Sequence, residues 1–265
     1  MTITREYISA FAVLREPETS GDELDVPGLP AIDSCLASLR PLPPQGVLFG
    51  VSSEGLPVML DLWNPSPGPV LVLGDAATGK TDLLRFIAGA AARTHRPDQL
   101  QFCALTPHPD EWDGFERLDH CFGIVGSGNG AARHALDELL ACVQEDPAAN
   151  PVLLLVDDPT GLDAAALDLF HSLLLNGPAA RLPCTERRMV WPIVTLNAGL
   201  ALELPSWLAL FRTRIFGRIA HSELADEFTP APDAALHNLL AGGQFCLRSE
   251  GHWLRFWVPF VPGPV

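Results

Sequence analysis

The stretch Gly74-Asp-Ala-Ala-Thr-Gly79-Lys80-Thr81 constrains this chain more than any other feature. It fits G-x-x-x-x-G-K-[ST] in full. A continuous apolar run, Pro69–Leu73, precedes it, and an alanine-rich run, Lys80–Thr94, follows it. The first reads as a strand buried on both faces and the second as a helix. Strand, glycine loop and helix in that order make an anion site. Backbone N–H groups curl around phosphate oxygens, and the positive end of the helix dipole faces them. The pattern predicts ATP with Mg²⁺ on Gly74, Asp75, Ala76, Ala77, Thr78, Gly79, Lys80, Thr81 and Asp82. Lys80 is expected to reach the β- and γ-phosphates, and Thr81 to ligate the metal.

The rest of the chain has the material for a large α/β domain. Of 265 residues, 48% are apolar, enough to bury a sizeable core. No stretch has the roughly 20 apolar residues that span a bilayer, and no basic-then-apolar leader opens the chain. No membrane association is expected. Six scattered cysteines without a C-x-x-C pair read as reduced thiols, which predicts a cytoplasmic protein without a structural metal. Acids outnumber bases 32 to 17, a net charge of −15, which disfavours broad contact with DNA phosphates. DNA therefore remains a partner that the charge does not favour.

Residues 1–44 read as a lead-in and linker, with Ile32–Leu39 as one or two helical turns. Residues 45–265 read as one domain. Val47–Val51 and Pro57–Leu62 form a hairpin around Ser-Ser-Glu-Gly. Strands are expected at Leu100–Leu105, Pro151–Val156, Val190–Leu196 and Arg214–Ile219. Helices are expected at Ala131–Gln144, Ala164–Leu175, Leu208–Phe211 and Ala235–Ala241. Gln244–Arg248 and Trp253–Pro259 close the chain as a second hairpin. Strands alternating with helices imply a mostly parallel sheet covered on both faces. The aromatic group Trp253, Phe256, Trp257 and Phe260 reads as core and subunit-contact surface.

Val152-Leu-Leu-Leu-Val156 followed by Asp157-Asp158 is an apolar strand that ends in two acids, the Walker B pattern. Asp157 is expected to hold Mg²⁺. Asp158 stands where a carboxylate would polarise attacking water. Its simpler role is a cap, because Asp158-Pro159-Thr160 also starts a helical turn. An aspartate there, one methylene shorter than glutamate, predicts slow or partner-dependent turnover. The strand Pro192-Ile-Val-Thr-Leu-Asn197 ends in a polar residue. Asn197 is the candidate sensor of the γ-phosphate, with Thr195 as the alternative.

The order of these pieces resembles the FtsK/SpoIIIE–HerA class of P-loop ATPases over roughly residues 44–260. The first hairpin, Gly50-Val-Ser-Ser-Glu-Gly55-Leu-Pro57-Val-Met-Leu-Asp61-Leu62, is similar to that class's G-x-x-x-x-G-x-P-v-x-x-D-L. Further matches are Arg212-Thr213-Arg214-Ile215-Phe-Gly-Arg218-Ile219 and the closing Leu240-Ala-Gly-Gly243-Gln-Phe245 with Gly251, Arg255, Phe256 and Pro259. The D-P-K turn of the class is replaced by Thr106-Pro107-His108. The resemblance implies a three-layer P-loop NTPase fold (RecA/FtsK-HerA-like) with a mostly parallel central sheet and flanking β-hairpins. It also implies a homo-oligomer, a hexameric ring with ATP between subunits, and an arginine reaching across from a neighbour. Arg214 and Arg218 match that role, with Arg187 and Arg188 as outside candidates. The intervals that carry pore segments in DNA-pumping relatives are short here, and the DNA-reading winged helix of the FtsK branch is not expected. Three functions stay open: an ATP-hydrolysing ring subunit in an assembly with partner proteins, a DNA translocase motor, and a slow or inactive ATP-binding switch module.

Overall fold

The computed structural model describes residues 32–38, 46–61, 67–128, 130–145, 151–176, 190–229, 234–249 and 252–259. The strands are β1 (Gly46–Ser52), β2 (Pro57–Asp61), β3 (Val70–Gly74), β4 (Gln101–Thr106), β5 (Cys121–Gly126), β6 (Val152–Asp157), β7 (Val190–Asn197), β8 (Thr213–Phe216), β9 (Gln244–Ser249) and β10 (His252–Trp257). They form one sheet in the order β2-β1-β10-β9-β8-β3-β7-β6-β4-β5. The six strands from β8 to β5 are parallel, and the other four join antiparallel. The two hairpins therefore extend the central sheet, side by side, rather than standing apart from it.

The helices are α1 (Ile32–Ser38), α2 (Lys80–Thr94), α3 (Ala131–Glu145), α4 (Ala164–Asn176), α5 (Ala198–Ala201), α6 (Pro205–Leu208) and α7 (Ser222–Phe228). Alternation along the strands sets the three layers. Val70 and Val72 of β3, with Leu153 and Leu155 of β6, meet Leu83, Leu84 and Ile87 of α2 on one face. Leu71 and Leu73, with Leu154 and Val156, meet Leu136 and Leu139 of α3 and Phe170 and Leu173 of α4 on the other. Both faces of β3 and β6 are buried, so their sequences are continuously apolar.

Glycines set the first hairpin. Gly55 turns with φ +78°, and a Cβ at Gly50 would run into the Trp257 carbonyl and the Phe256 ring of β10. In the second hairpin Phe256 and Trp257 are buried. Trp253 packs edge-on to Phe216 at 5.9 Å and beneath Arg248. Phe256 and Trp257 belong to the core and Trp253 packs against it partly buried, which agrees with the core part of the expectation, and Phe260 lies outside the described residues.

Three local expectations shift. The helix expected at Leu208–Phe211 lies earlier, as α6, because Pro205 takes its first position where no N–H is needed. The strand expected to reach Ile219 stops at Phe216, where the backbone turns onto the glycine loop. The segment Ala235–Ala241 holds a single 3₁₀ turn, Leu236–Asn238. Strand β5 and helix α7 had no prior expectation. Residues 1–31, with the apolar run Ile3–Leu14, lie outside the described residues.

Candidate functional site: a phosphate loop facing two carboxylates

Strand β3 delivers Gly74 to the C-terminal edge of the sheet, and α2 leaves from Gly79. Gly74 is buried, and a Cβ there would lie 2.8 Å from Thr78 Oγ1. Gly79 has φ +88°, and Ala77 adopts the left-handed region at φ +58°. Ala76 and Ala77 are exposed. The curl is held from inside, since Thr78, almost fully buried, donates its hydroxyl to the Asp75 carbonyl at 2.9 Å.

Lys80 donates its amine to the carbonyls of Gly74 at 3.1 Å and Asp75 at 2.6 Å. Burial lowers its pKa below the ordinary 10.5, and the nearby carboxylates of Asp157, Asp75 and Asp158 oppose that shift. A partly desolvated ammonium held on loop carbonyls is poised to exchange them for phosphate oxygens. Asp82 is exposed in the first turn of α2, and its carboxylate meets Arg85 at 3.4 Å.

Strand β6 places Asp157 opposite the loop. Thr81 donates its hydroxyl to Asp157 Oδ2 at 2.8 Å, and Thr195 donates to Asp157 Oδ1 at 2.7 Å. One hydroxyl and one carboxylate 2.8 Å apart are hard oxygen donors. They fit Mg²⁺, whose shell is otherwise filled by phosphates and water. Asp158 follows with φ +56° and caps the 3₁₀ turn Pro159–Gly161. Its Oδ1 accepts from the Thr160 N–H at 3.0 Å and the Thr160 hydroxyl at 2.6 Å. Asn197 ends β7 and caps α5, accepting from the Gly199 N–H at 3.0 Å. Thr195 is therefore the β7 residue that touches the acids.

The candidate arginines differ. Arg214 is half-buried and donates to the Leu208 carbonyl at 2.7 Å, a bond that fixes α6. Arg218 has an exposed side chain, and its carbonyl accepts from the Asp75 N–H at 2.9 Å. Arg187 and Arg188 lie outside the described residues.

Two contacts were beyond sequence reasoning. The segment 217–220 clamps the glycine loop: Gly217 N–H bonds the Leu73 carbonyl at 2.7 Å, and Ala220 N–H bonds Asp75 Oδ2 at 2.7 Å. The Gly242-Gly243 turn backs onto Gly79. The glycine pair was a visible signal of a tight turn, whereas nothing in the sequence marks Ala220.

Among the described residues, three free thiols are held in the protonated form. Burial pushes Cys103 and Cys246 up to about 12 and Cys121 up to about 11. Among the described residues no cluster of three or more His, Cys, Asp or Glu could hold a metal by itself, and no helix is long and apolar enough to cross a membrane.

Comparison with known proteins agrees with this fold. The model of the FtsK/SpoIIIE family matches residues 42–148. The ESX-5 secretion system protein EccC5 of Mycobacterium marinum (strain ATCC BAA-535 / M) is 36% identical over 77 residues, 29% of this chain and 6% of that protein. The cytoplasmic domain of the Thermomonospora curvata type VII secretion ATPase EccC superposes with a TM-score of 0.67 at 21% identity, over 90% of this chain and 33% of that one. ATPases 2 and 3 of T. curvata EccC in complex with a signal sequence peptide superpose with a TM-score of 0.61 at 16% identity, over 93% of this chain and 44% of that one. The chain thus spans a small part of the curated relative and a third of the first structure. Over residues 42–148 the chain thus resembles the FtsK/SpoIIIE family, and over most of its length it shares the fold of the EccC ATPase domains.

Proposed function

We propose that this chain is an ATP-hydrolysing subunit of a homo-oligomeric ring that works within a multi-protein assembly, and that its turnover is slow until a neighbour or partner engages it. The observation that carries this reading is the contrast between Asp157 and Asp158. Asp157 is already joined to Thr81 across the site, whereas the Asp158 carboxylate is turned into its own cap on Thr160. The binding side is assembled and the hydrolytic side is restrained.

In this reading the N–H groups of 74–81 and the Lys80 amine hold the triphosphate. Thr81 and Asp157 hold Mg²⁺, which neutralises charge on the phosphates when bound. Asp158, released from Thr160, orients the water, and Asn197 senses the γ-phosphate. An exposed arginine, Arg218 foremost, would serve the site of the next subunit. The T. curvata EccC structure with a signal sequence peptide supports protein rather than DNA as the substrate class. The net charge of −15 supports the same choice.

Steady-state ATPase activity with and without double-stranded DNA and candidate partner protein, and particle size with and without ATP, test the proposal. Assembly on ATP with stimulation by protein is expected. A strict monomer under every condition, or stimulation by DNA alone, would overturn it.

A further inference from the structure

We infer that Thr195 is a positioning residue for hydrolysis, holding the Asp157 carboxylate and the Asp158 backbone in one fixed arrangement. The inference rests on the nucleotide-site reading above. Strand β7 lies between the strand that feeds the glycine loop and the strand that ends in the acids. The register sets Thr195 opposite Val72 on one side and Asp157 on the other.

Thr195 is almost fully buried, and both functions of its hydroxyl are used. The proton goes to Asp157 Oδ1 at 2.7 Å, and the oxygen accepts from the Asp158 N–H at 3.1 Å. A single side chain therefore bonds both consecutive acids. Because it occupies Oδ1, the oxygen left facing the loop is Oδ2, which Thr81 shares. The carboxylate plane is thus set by two hydroxyls, one on each oxygen.

The same bond restrains Asp158. At φ +56° and ψ +94° this residue lies in a region that only glycine enters without strain. Its N–H is tied to Thr195 and its carboxylate to Thr160, so the kink is held from both ends. Without the Thr195 hydroxyl, Asp157 Oδ1 loses a partner in a buried site and Asp158 loses its anchor. The carboxylate is then free to rotate away from the metal side. Partners that orient metal ligands typically matter 10–100-fold.

Thr195→Val keeps the branched shape and removes the hydroxyl, whereas Thr195→Ser restores it. Three measurements test the pair: binding of a fluorescent ATP analogue against Mg²⁺ concentration, turnover with its KM for ATP, and melting temperature. The expected result is a half-saturating Mg²⁺ concentration raised about tenfold or more in Thr195→Val, a comparable fall in kcat, and recovery to within about threefold in Thr195→Ser. Wild-type Mg²⁺ dependence and kcat in Thr195→Val would overturn the inference while leaving the nucleotide site intact. Equal loss in both variants together with lowered melting temperatures would overturn it too, by making Thr195 a packing residue. A wild-type protein whose nucleotide binding ignores Mg²⁺ would overturn the site reading itself and this inference with it.

Discussion

Gly79 lies against the backbone of Gly243: a Cβ at position 79 would sit 2.9 Å from the Gly243 nitrogen, with φ already at +88°. The glycine that starts α2 is thus required twice, by its own conformation and by a turn from the far end of the chain. Gly79→Ala is expected to lower stability by about 2–3 kcal/mol, roughly 4–12 °C, and to weaken nucleotide binding. Gly243→Ala meets nothing nearer than 3.7 Å, so it carries only the strain of φ +120°. A fall of about 1 kcal/mol is expected there. Thermal melts of the two variants check the contrast, and equal falls would remove the contact as a cause.

Lys80, which the proposed site assigns to phosphate, is held at some expense to the fold. Burial lowers its pKa, so the native chain holds that proton less tightly than the unfolded chain. Its contribution to stability rises as pH climbs from the native value toward the ordinary 10.5 and is flat below that window. Lys80→Met should abolish nucleotide binding, leave melting temperature unchanged or raise it by about 2–4 °C, and remove that alkaline slope. Melts from pH 7 to 10 and analogue binding are the readouts. Retained binding would discard the site assignment.

Asp158 and Thr160 make opposite predictions. Asp158→Asn should keep nucleotide affinity and lose turnover by about 100-fold or more. Thr160→Ala frees the carboxylate from its 2.6 Å bond and should raise basal turnover severalfold in the absence of partners. Single-turnover hydrolysis decides. Unchanged chemistry in Asp158→Asn would take this residue out of the mechanism.

The two arginines should separate cleanly. Arg214→Ala breaks a half-buried bond to the Leu208 carbonyl and is expected to cost about 1–3 kcal/mol of stability. Arg218→Ala removes an exposed side chain and should change stability by less than about 0.5 kcal/mol. If Arg218 acts across the subunit boundary, its loss should lower turnover of the assembled protein about 1,000-fold while binding persists. Mixing Arg218→Ala with Lys80→Met subunits gives a complementation assay for that role.

The elements that carry the site were legible because local pattern and burial coincide there. Val70–Leu73 and Val152–Val156 are buried on both faces, so nothing competes with the reading of a strand. Lys80–Thr94 starts at the loop that defines it, and both hairpins carry turn residues. Strand β5 was missed because Cys121–Gly126 contains two glycines and lies at the sheet edge, where half-burial leaves no clear alternation. Helix α7 packs Ala225 as its one fully buried residue. Asp158 was legible as a cap, and the structure shows that bond. Thr195 was only an alternative to Asn197, since no local pattern shows that a hydroxyl bonds the neighbouring strand. The clamp between Asp75 and Ala220 joins backbone to side chain across 145 positions and leaves no composition behind.

The sheet order also sets a timetable for synthesis. Strands β3, β6 and β7, with the loop and both acids, emerge from a ribosome before β9 and β10 do. Strand β1, the first of the described strands, then waits for β10, its antiparallel neighbour, across most of the chain. Pairings so distant in sequence form late and slowly. Gly243, which supports the loop at Gly79, arrives with that last hairpin. The glycine loop therefore precedes in the chain the turn that supports it, and Gly79 gains its backing at Gly243 only once that later hairpin has folded.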